Sequence, residues 1–308
     1  GLYMSAFAAL VPLTYYSLRR IGFAVNRLTL ISLKKLTTFS SIIFAGSIAV
    51  LLDQRIDLIF VAHFLDNQQV AVYGYVLKFA LLFVLVGGSI SKVTYPRFTQ
   101  AFNQRHNEVS GIFSFSLNFT FFFLSILALV FFFHAGPIID LILPEFYGQM
   151  IPYLLVLLIG VVPMSVLGSV GTLFTAKGLP SVSVWINWLL LGLNAGLNML
   201  LIPRLGLYGA AIATTSTFLL KPIILLILID RKLNVAYPYW RLVMNFVLFM
   251  MVLVTGHYLE SYWWREILLI LYLIYSYKVF LCSGEQKYLR DSLMRANQKM
   301  LRMIRSEG

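Results

Sequence analysis

Long apolar runs alternate with short polar and basic segments along the whole sequence. Each run can cross a hydrocarbon core about 30 Å thick as a helix, which takes about 20 residues. The gaps between the runs are too short to build a soluble domain. We therefore predict nine membrane-spanning helices, of which the first is clipped. They cover 1–16, 38–62, 70–91, 110–133, 150–173, 182–202, 206–229, 242–258 and 265–282.

Composition supports the same class. Of the 308 residues, 60% are hydrophobic and 12% are charged, and the mean hydropathy is +0.84, whereas soluble domains carry about 25% charged residues. The single cysteine, Cys282, excludes an intrachain disulfide framework and a multi-cysteine metal site. We predict an all-α, polytopic integral membrane protein.

The net charge of +12 reflects topology. When the predicted spans alternate in direction, most of the 24 lysines and arginines fall on one side. The positive-inside rule makes that side cytoplasmic, and the C-terminus with it. The basic balance therefore gives no indication of a nucleic-acid partner.

The tail at 285–308 has its own pattern, with apolar residues every three or four positions and lysines and arginines on the other faces. This pattern favours an amphipathic helix lying on the anionic inner leaflet. Docking onto another protein and a solvated tail are the alternatives.

Two short segments of the chain, about 200 residues apart, are similar in sequence. Segments 1–8 and 206–213 agree at five of eight positions, and both open an apolar run. Their separation is about that of six membrane helices, as parallel repeats of a transporter require. We expect the chain to begin on the last helix of one repeat and to contain a complete second repeat. Chance similarity between membrane helices is the alternative.

Charged side chains inside the spans are the main candidates for function, because each costs roughly 2.5–3.5 kcal/mol to insert. Asp53 and Asp57 share one face of the second predicted helix, and Arg55 lies on the opposite face. Lys78 lies in the next predicted span, at a similar depth in the membrane. It could form a salt bridge with either aspartate that only lets the helices coexist, or Arg55 or Lys78 could face a cavity and bind an anion. Lys221 stands alone and could snorkel.

Three asparagines occupy the predicted span 182–202. Asn194 and Asn198 share a face, and Asn187 lies earlier in the span. Such side chains usually form interhelical hydrogen bonds worth about 0.6 kcal/mol. Contact with a glycan is the alternative.

Several kinds of catalytic chemistry have no sequence signature here. The chain has no Walker A motif, no His-x4-Asp pair, and no Asp-x-Asp motif outside the polar stretch 53–57, and its four histidines are scattered. We therefore predict no enzyme activity, no metal site and no cofactor. A secondary transporter, a flippase or a membrane scaffold remains.

Several strings in this order resemble the polysaccharide flippases of the multidrug/oligosaccharidyl-lipid/polysaccharide exporter superfamily, the O-antigen (Wzx-type) branch in particular. They are Arg55-Ile56-Asp57; Val70-Ala71-Val72-Tyr73-Gly74-Tyr75 with Lys78; Thr94-Tyr95-Pro96-Arg97-Phe98; Leu143-Pro144-Glu145-Phe146-Tyr147; and the stretch from Asn194 through Pro203 and Gly206 to Ala211. Met199 departs from the leucine usual in that family.

The resemblance implies a MATE-like transporter of two six-helix lobes followed by two extra helices. On that template, 1–20 is the last helix of an otherwise missing N-terminal lobe and 21–37 is a cytoplasmic linker. The C-terminal lobe is 38–232, the extra helices are 233–284, and the tail is 285–308. The absence of five further helices departs from the family. A lone lobe cannot alternate its access, so we expect an incomplete chain or a separate partner lobe.

The resemblance also implies a function. An undecaprenyl-pyrophosphate-linked oligosaccharide would move across the bacterial cytoplasmic (inner) membrane for biosynthesis of surface polysaccharide, such as the O-antigen of lipopolysaccharide. Arg55 and Lys78, with Lys221 and Arg97 as further candidates, would form a cationic cavity, and Asp53 or Asp57 would serve ion coupling or charge balance. A polysaccharide polymerase or other assembly proteins are the implied partners. A multidrug/proton antiporter and a truncated, non-transporting membrane component are the alternatives.

Overall fold

A computed structural model describes residues 30–104, 109–142, 147–233, 235, 237–259 and 261–280. All regular secondary structure in these ranges is helical, so the predicted all-α class is confirmed. The predicted span at 1–16 and the predicted tail helix at 285–308 lie outside the described residues. The chain divides into two compact units, 1–44 and 45–308. In the first unit, residues 30–44 are helical. The finer division into lobe and extra helices stays a prediction.

The described residues form ten α-helices, and a π-helical turn, Ser276–Phe280, follows the last of them. The helices are α1 Leu30–Phe64, α2 Asn67–Gln104, α3 Val109–Phe133, α4 Ala135–Ile142, α5 Tyr147–Val166, α6 Gly168–Ala176, α7 Pro180–Leu205, α8 Leu207–Leu233, α9 Tyr239–Tyr258 and α10 Tyr262–Tyr275.

Seven helical stretches of the described chain are long and apolar enough to cross a membrane. They are Leu36–Phe64, Asn67–Asn103, Val109–Phe133, Gly148–Ala176, Pro180–Leu205, Leu207–Leu233 and Tyr239–Tyr258. These match the second to eighth predicted spans. The ninth, 265–282, overlaps α10, which has 14 residues and is roughly 21 Å long. The π-helical turn extends it to Phe280.

The span predicted at 150–173 is two helices. α5 contains Pro163, and the Leu167 N–H donates to the Pro163 carbonyl oxygen at 3.1 Å before α6 begins. Pro163 has no N–H to donate to the Ile159 carbonyl oxygen, so α5 lacks one hydrogen bond in the turn before the break. The sequence analysis missed this break because the hydropathy stays high across it.

Gly206 sets up the hairpin of α7 and α8. Its φ of 60° and ψ of −137° belong to a backbone region essentially reserved for glycine. The turn brings α8 back along α7, so Asn198 and Thr214, which lie equally far before and after Gly206, come to face the same neighbour. This hairpin builds the site described below.

Gly87 of α2 lies against the backbone of α5. A Cβ atom at this position would overlap the backbone carbonyl of Ser165. Inside a bilayer the hydrophobic effect does not drive helices together. Close packing does so instead, and small residues allow the helix backbones to approach. A Cβ atom on the adjacent Gly88 would meet no atom within 4 Å.

We expect Gly87→Ala to destabilise the protein by about 1–3 kcal/mol, because the helix backbones must separate. Gly88→Ala is the matched control. It should leave stability unchanged or raise it by up to about 1 kcal/mol, since alanine favours helix. Thermal unfolding of both variants in detergent checks the pair, and equal effects would show that the contact with Ser165 does not matter.

Candidate functional site

The Asp57 carboxylate on α1 is buried, with 2% of its surface exposed, and helices α7 and α8 supply its hydrogen-bond donors. Asn194 Nδ2 and Asn198 Nδ2 donate to Asp57 Oδ1 at 3.0 and 2.7 Å. The Thr214 hydroxyl lies 2.7 Å from Asp57 Oδ2. Buried charge is tolerated only when it is hydrogen-bonded or paired. These contacts therefore let one ionised carboxylate tie three helices together.

A fourth helix, α2, contacts this site through a pair of hydroxyl groups. The Tyr73 hydroxyl of α2 lies 3.2 Å from Thr214 Oγ1, and both side chains are buried. Thr214 Oγ1 also lies 3.0 Å from the Ala210 carbonyl oxygen. A hydroxyl has one proton, so Thr214 donates either to Asp57 or to Ala210, and Tyr73 can donate to Thr214 in both cases. The Asp57 cluster is defined as Asp57, Tyr73, Asn194, Asn198 and Thr214.

Asp57 and Thr214 of the Asp57 cluster line an interior cavity of about 70 Å³. Asp53, Asn187, Thr217 and Lys221 also line it. Asp53 Oδ1 and Asn187 Oδ1 are buried and accept no hydrogen bond from the described residues. Oxygen atoms are the ligands that hard cations prefer. The cavity therefore has the chemistry of a cation site.

A second cavity, of about 330 Å³, shares Asn187 and Lys221 with the first. Its other polar lining residues are Ser91, Lys92, Ser165, Thr172 and Ser183. Lys221 therefore lies between the two cavities. Asp53 and Lys221 attract each other, but among the described residues they form no direct ion pair.

Arg55 and Lys78 lie together on a separate pocket of about 440 Å³ between α1 and α2. Both side chains are exposed. The Lys78 ammonium lies 4.9 Å from the centre of the Tyr75 ring, a geometry in which the ring face attracts a cation. Neither aspartate lines this pocket. One helix, α1, thus presents its acids to an interior cavity and its base to an open pocket.

The structure separates the residues that the sequence analysis grouped as cationic candidates. Arg55 and Lys78 share a pocket, Lys221 lies in the interior cavities, and Arg97 is an exposed residue near the end of α2. No ion pair joins Lys78 to Asp53 or Asp57 within the described part of the chain. Residues 143–146 of one motif lie outside it.

The sequence analysis missed two members of the Asp57 cluster, Tyr73 and Thr214. Tyr73 lies in a string already noted for its resemblance, and Thr214 lies just beyond the end of another at Ala211, but nothing in their spacing shows that they face Asp57. The only available signal was the equal distance of Asn198 and Thr214 from the glycine turn at Gly206.

Seven apolar helices in the described residues, with charged side chains lining cavities among them, define the chain as part of a polytopic membrane protein. Residues 1–280 match the lipid II flippase MurJ family. The chain therefore belongs to that family, whose members are transporters rather than catalysts. This confirms the expectation of a non-enzymatic, multi-pass membrane protein and the resemblance to lipid-linked flippases. Membership of the O-antigen branch is not specifically shown.

Solved structures share the fold, among them a lipid II flippase. It is described as the lipid II flippase MurJ in an inward closed conformation, and it aligns with a TM-score of 0.61 at 17% sequence identity. The alignment covers 91% of this chain and 60% of that one. The chain thus spans less than two thirds of the length of its solved relative. No curated protein matches the chain.

The Asp57 cluster gives a stability prediction. Thr214→Val removes the hydroxyl that bridges Asp57 and Tyr73 while keeping the shape of the side chain, and we expect a loss of about 1–3 kcal/mol because polar groups are left unpaired. Thr217→Val is the matched control, since the Thr217 hydroxyl contacts only carbonyls of its own helix. Thermal unfolding measures both, and equal losses would mean that the bridge contributes nothing.

Proposed function

We propose that this chain forms the C-terminal lobe and additional helices of a flippase that moves a lipid-linked saccharide from the cytoplasmic to the outer leaflet by alternating access. The lobe works against a second lobe of six helices. Membership of the lipid II flippase MurJ family supports the class of transport, and the separation of basic and acidic sites supports the mechanism. The excess of lysine and arginine on one side of the predicted spans supports a cytoplasmic C-terminus.

The observation that carries the proposal is the pocket shared by Arg55 and Lys78. Two cations kept within membrane spans must gain a compensating interaction. A pyrophosphate group supplies it, because guanidinium and ammonium groups bind phosphate oxygens with charge-assisted hydrogen bonds. In this proposal Arg55 and Lys78 contact the anionic headgroup, and the exposed Arg97, toward the predicted cytoplasmic end of α2, meets it first.

The interior cavity has a different role. Asp57 is held in place by donors from α7 and α8 and serves ion coupling, with Asp53 beside it for charge balance. A cation that binds there stabilises one arrangement of α1, α7 and α8 over another, and only such differential binding can drive a conformational change.

Two lipid-linked saccharides are candidate substrates. The family points to lipid II, a peptidoglycan precursor, and the motif resemblance points to a lipid-linked O-antigen unit. Both join a saccharide to a lipid, so the pocket lined by Arg55 and Lys78, called the Arg55 pocket below, suits either. We propose lipid II as the first substrate to test.

Deleting the gene for this chain in the organism that encodes it tests the function. We expect one lipid-linked saccharide to accumulate, because its transfer to the outer leaflet is blocked. Mass spectrometry of the extracted lipids identifies it as lipid II or an O-antigen unit. Drug sensitivity with normal levels of both lipids would overturn the proposal and favour the antiporter.

A further inference from the structure

Lys221 is a charged residue that the proposed flipping step does not use. It lies inside α8 and lines both interior cavities, whereas Arg55 and Lys78 line a different pocket. A lysine inside a span must gain a compensating interaction. Asp53 carries the opposite charge and lines the first of these cavities together with Lys221.

The surroundings of Lys221 are rich in oxygen acceptors. Asp53 Oδ1 and Asn187 Oδ1 are buried without a hydrogen-bond donor, and both residues line the same cavity as Lys221. An ammonium group has three donors and no acceptor, so it complements these oxygens. The Asp57 carboxylate, by contrast, already accepts hydrogen bonds from Asn194 and Asn198.

The net charge of the cavity bears on which cations it favours. With Asp53 and Asp57 ionised and Lys221 protonated, the cavity carries one net negative charge, which a single monovalent cation neutralises. Without the ammonium the charge would be two, and a divalent cation or a second monovalent ion would be favoured. Inside a protein such charges interact strongly, because screening is weaker there than in water.

We propose that Lys221 is a tethered cation that occupies the Asp53 end of the cavity and thereby restricts the site to one monovalent cation. The inference rests on the ion coupling proposed above and assigns its specificity to one residue. Lys221 is a positioning residue in this scheme, and the substrate headgroup does not touch it.

The test measures cation binding to the purified full chain in detergent, without any lipid-linked substrate. Thermal unfolding is followed against NaCl and against MgCl2 or CaCl2, with choline chloride holding the ionic strength constant. We expect the wild-type chain to be stabilised by Na⁺ and to show no specific response to divalent ions. Lys221→Gln should respond to divalent ions and bind Na⁺ about tenfold more tightly.

Four variants control the result. Lys221→Arg keeps the charge, and Lys232→Gln removes a charge from the exposed end of the same helix, so both should behave like the wild type. Asp53→Asn with Lys221→Gln returns the cavity to one net charge and should abolish the divalent response. Asp53→Asn alone leaves it neutral and should abolish stabilisation by Na⁺, which keeps the inference testable if Lys221→Gln fails to fold.

Unchanged cation selectivity in Lys221→Gln, or Na⁺ stabilisation that persists in Asp53→Asn, would overturn the inference. Neither result bears on flipping, which the lipid accumulation of the deletion strain tests separately. Normal lipid levels in that strain would overturn the proposed function whatever the cation data show.

Discussion

Asp57→Ala is expected to cause the largest loss of function and stability among single changes in the described interior. The substitution removes the acceptor of the Asn194 and Asn198 amides. Asn198 then keeps only its hydrogen bond to Asn194 Oδ1, and Thr214 falls back on the Ala210 carbonyl. Each buried donor without a partner costs about 1–3 kcal/mol. We therefore expect a loss of about 2–4 kcal/mol in the free energy of unfolding.

Asp57→Asn separates charge from shape. It keeps the volume of the side chain but removes the negative charge, so we expect it to unfold at a higher temperature than Asp57→Ala and still to fail in the deletion strain. Asp140→Asn, at an exposed aspartate of α4, is the control and should rescue that strain. Full rescue by Asp57→Asn would show that the charge is not needed for coupling.

The second large effect is expected from reversing the charge of the Arg55 pocket. Lys78→Glu places a carboxylate where the proposal needs a cation, and it should repel an anionic headgroup. We expect transport to fall at least about tenfold, since a like charge in contact costs more than about 1.4 kcal/mol at the dielectric of a partly exposed site. Lys78 is exposed, so folding should be preserved.

Complementation of the deletion strain, with protein levels in the membrane checked by immunoblot, measures this effect. Arg55→Gln should lower rescue as well, because it removes the second cation of the pocket. Arg204→Glu reverses an exposed charge at the end of α7 that lines none of the three charged pockets described above, and it should rescue normally. Normal rescue by both Lys78→Glu and Arg55→Gln would remove this pocket from the mechanism.

Most of the fold could be predicted from the sequence, because burial in lipid requires long apolar helices and little else. Seven predicted spans have counterparts in the structure. The break at Leu167 and the short helix α4 could not be found in this way. Both lie in apolar sequence, where hydropathy does not mark the boundary between two helices.

The candidate site was only partly predictable. Helical periodicity correctly placed Asp57 and Arg55 on opposite faces of α1, and Asn194 beside Asn198 on one face of α7. Which helix each face meets depends on tertiary packing, so Thr214 and Tyr73 could not be assigned to Asp57. Lys221 could be recognised as costly but not as a neighbour of Asp53.

The central claim is that this chain moves a lipid-linked saccharide between leaflets with its Arg55 pocket. The most direct measurement is the amount of lipid II in the outer leaflet of spheroplasts, probed with a membrane-impermeant reagent, before and after depletion of the chain. We predict that depletion lowers this pool, that wild type and Arg204→Gln restore it, and that Arg55→Gln with Lys78→Gln does not. An outer-leaflet pool that depletion leaves unchanged would contradict the account.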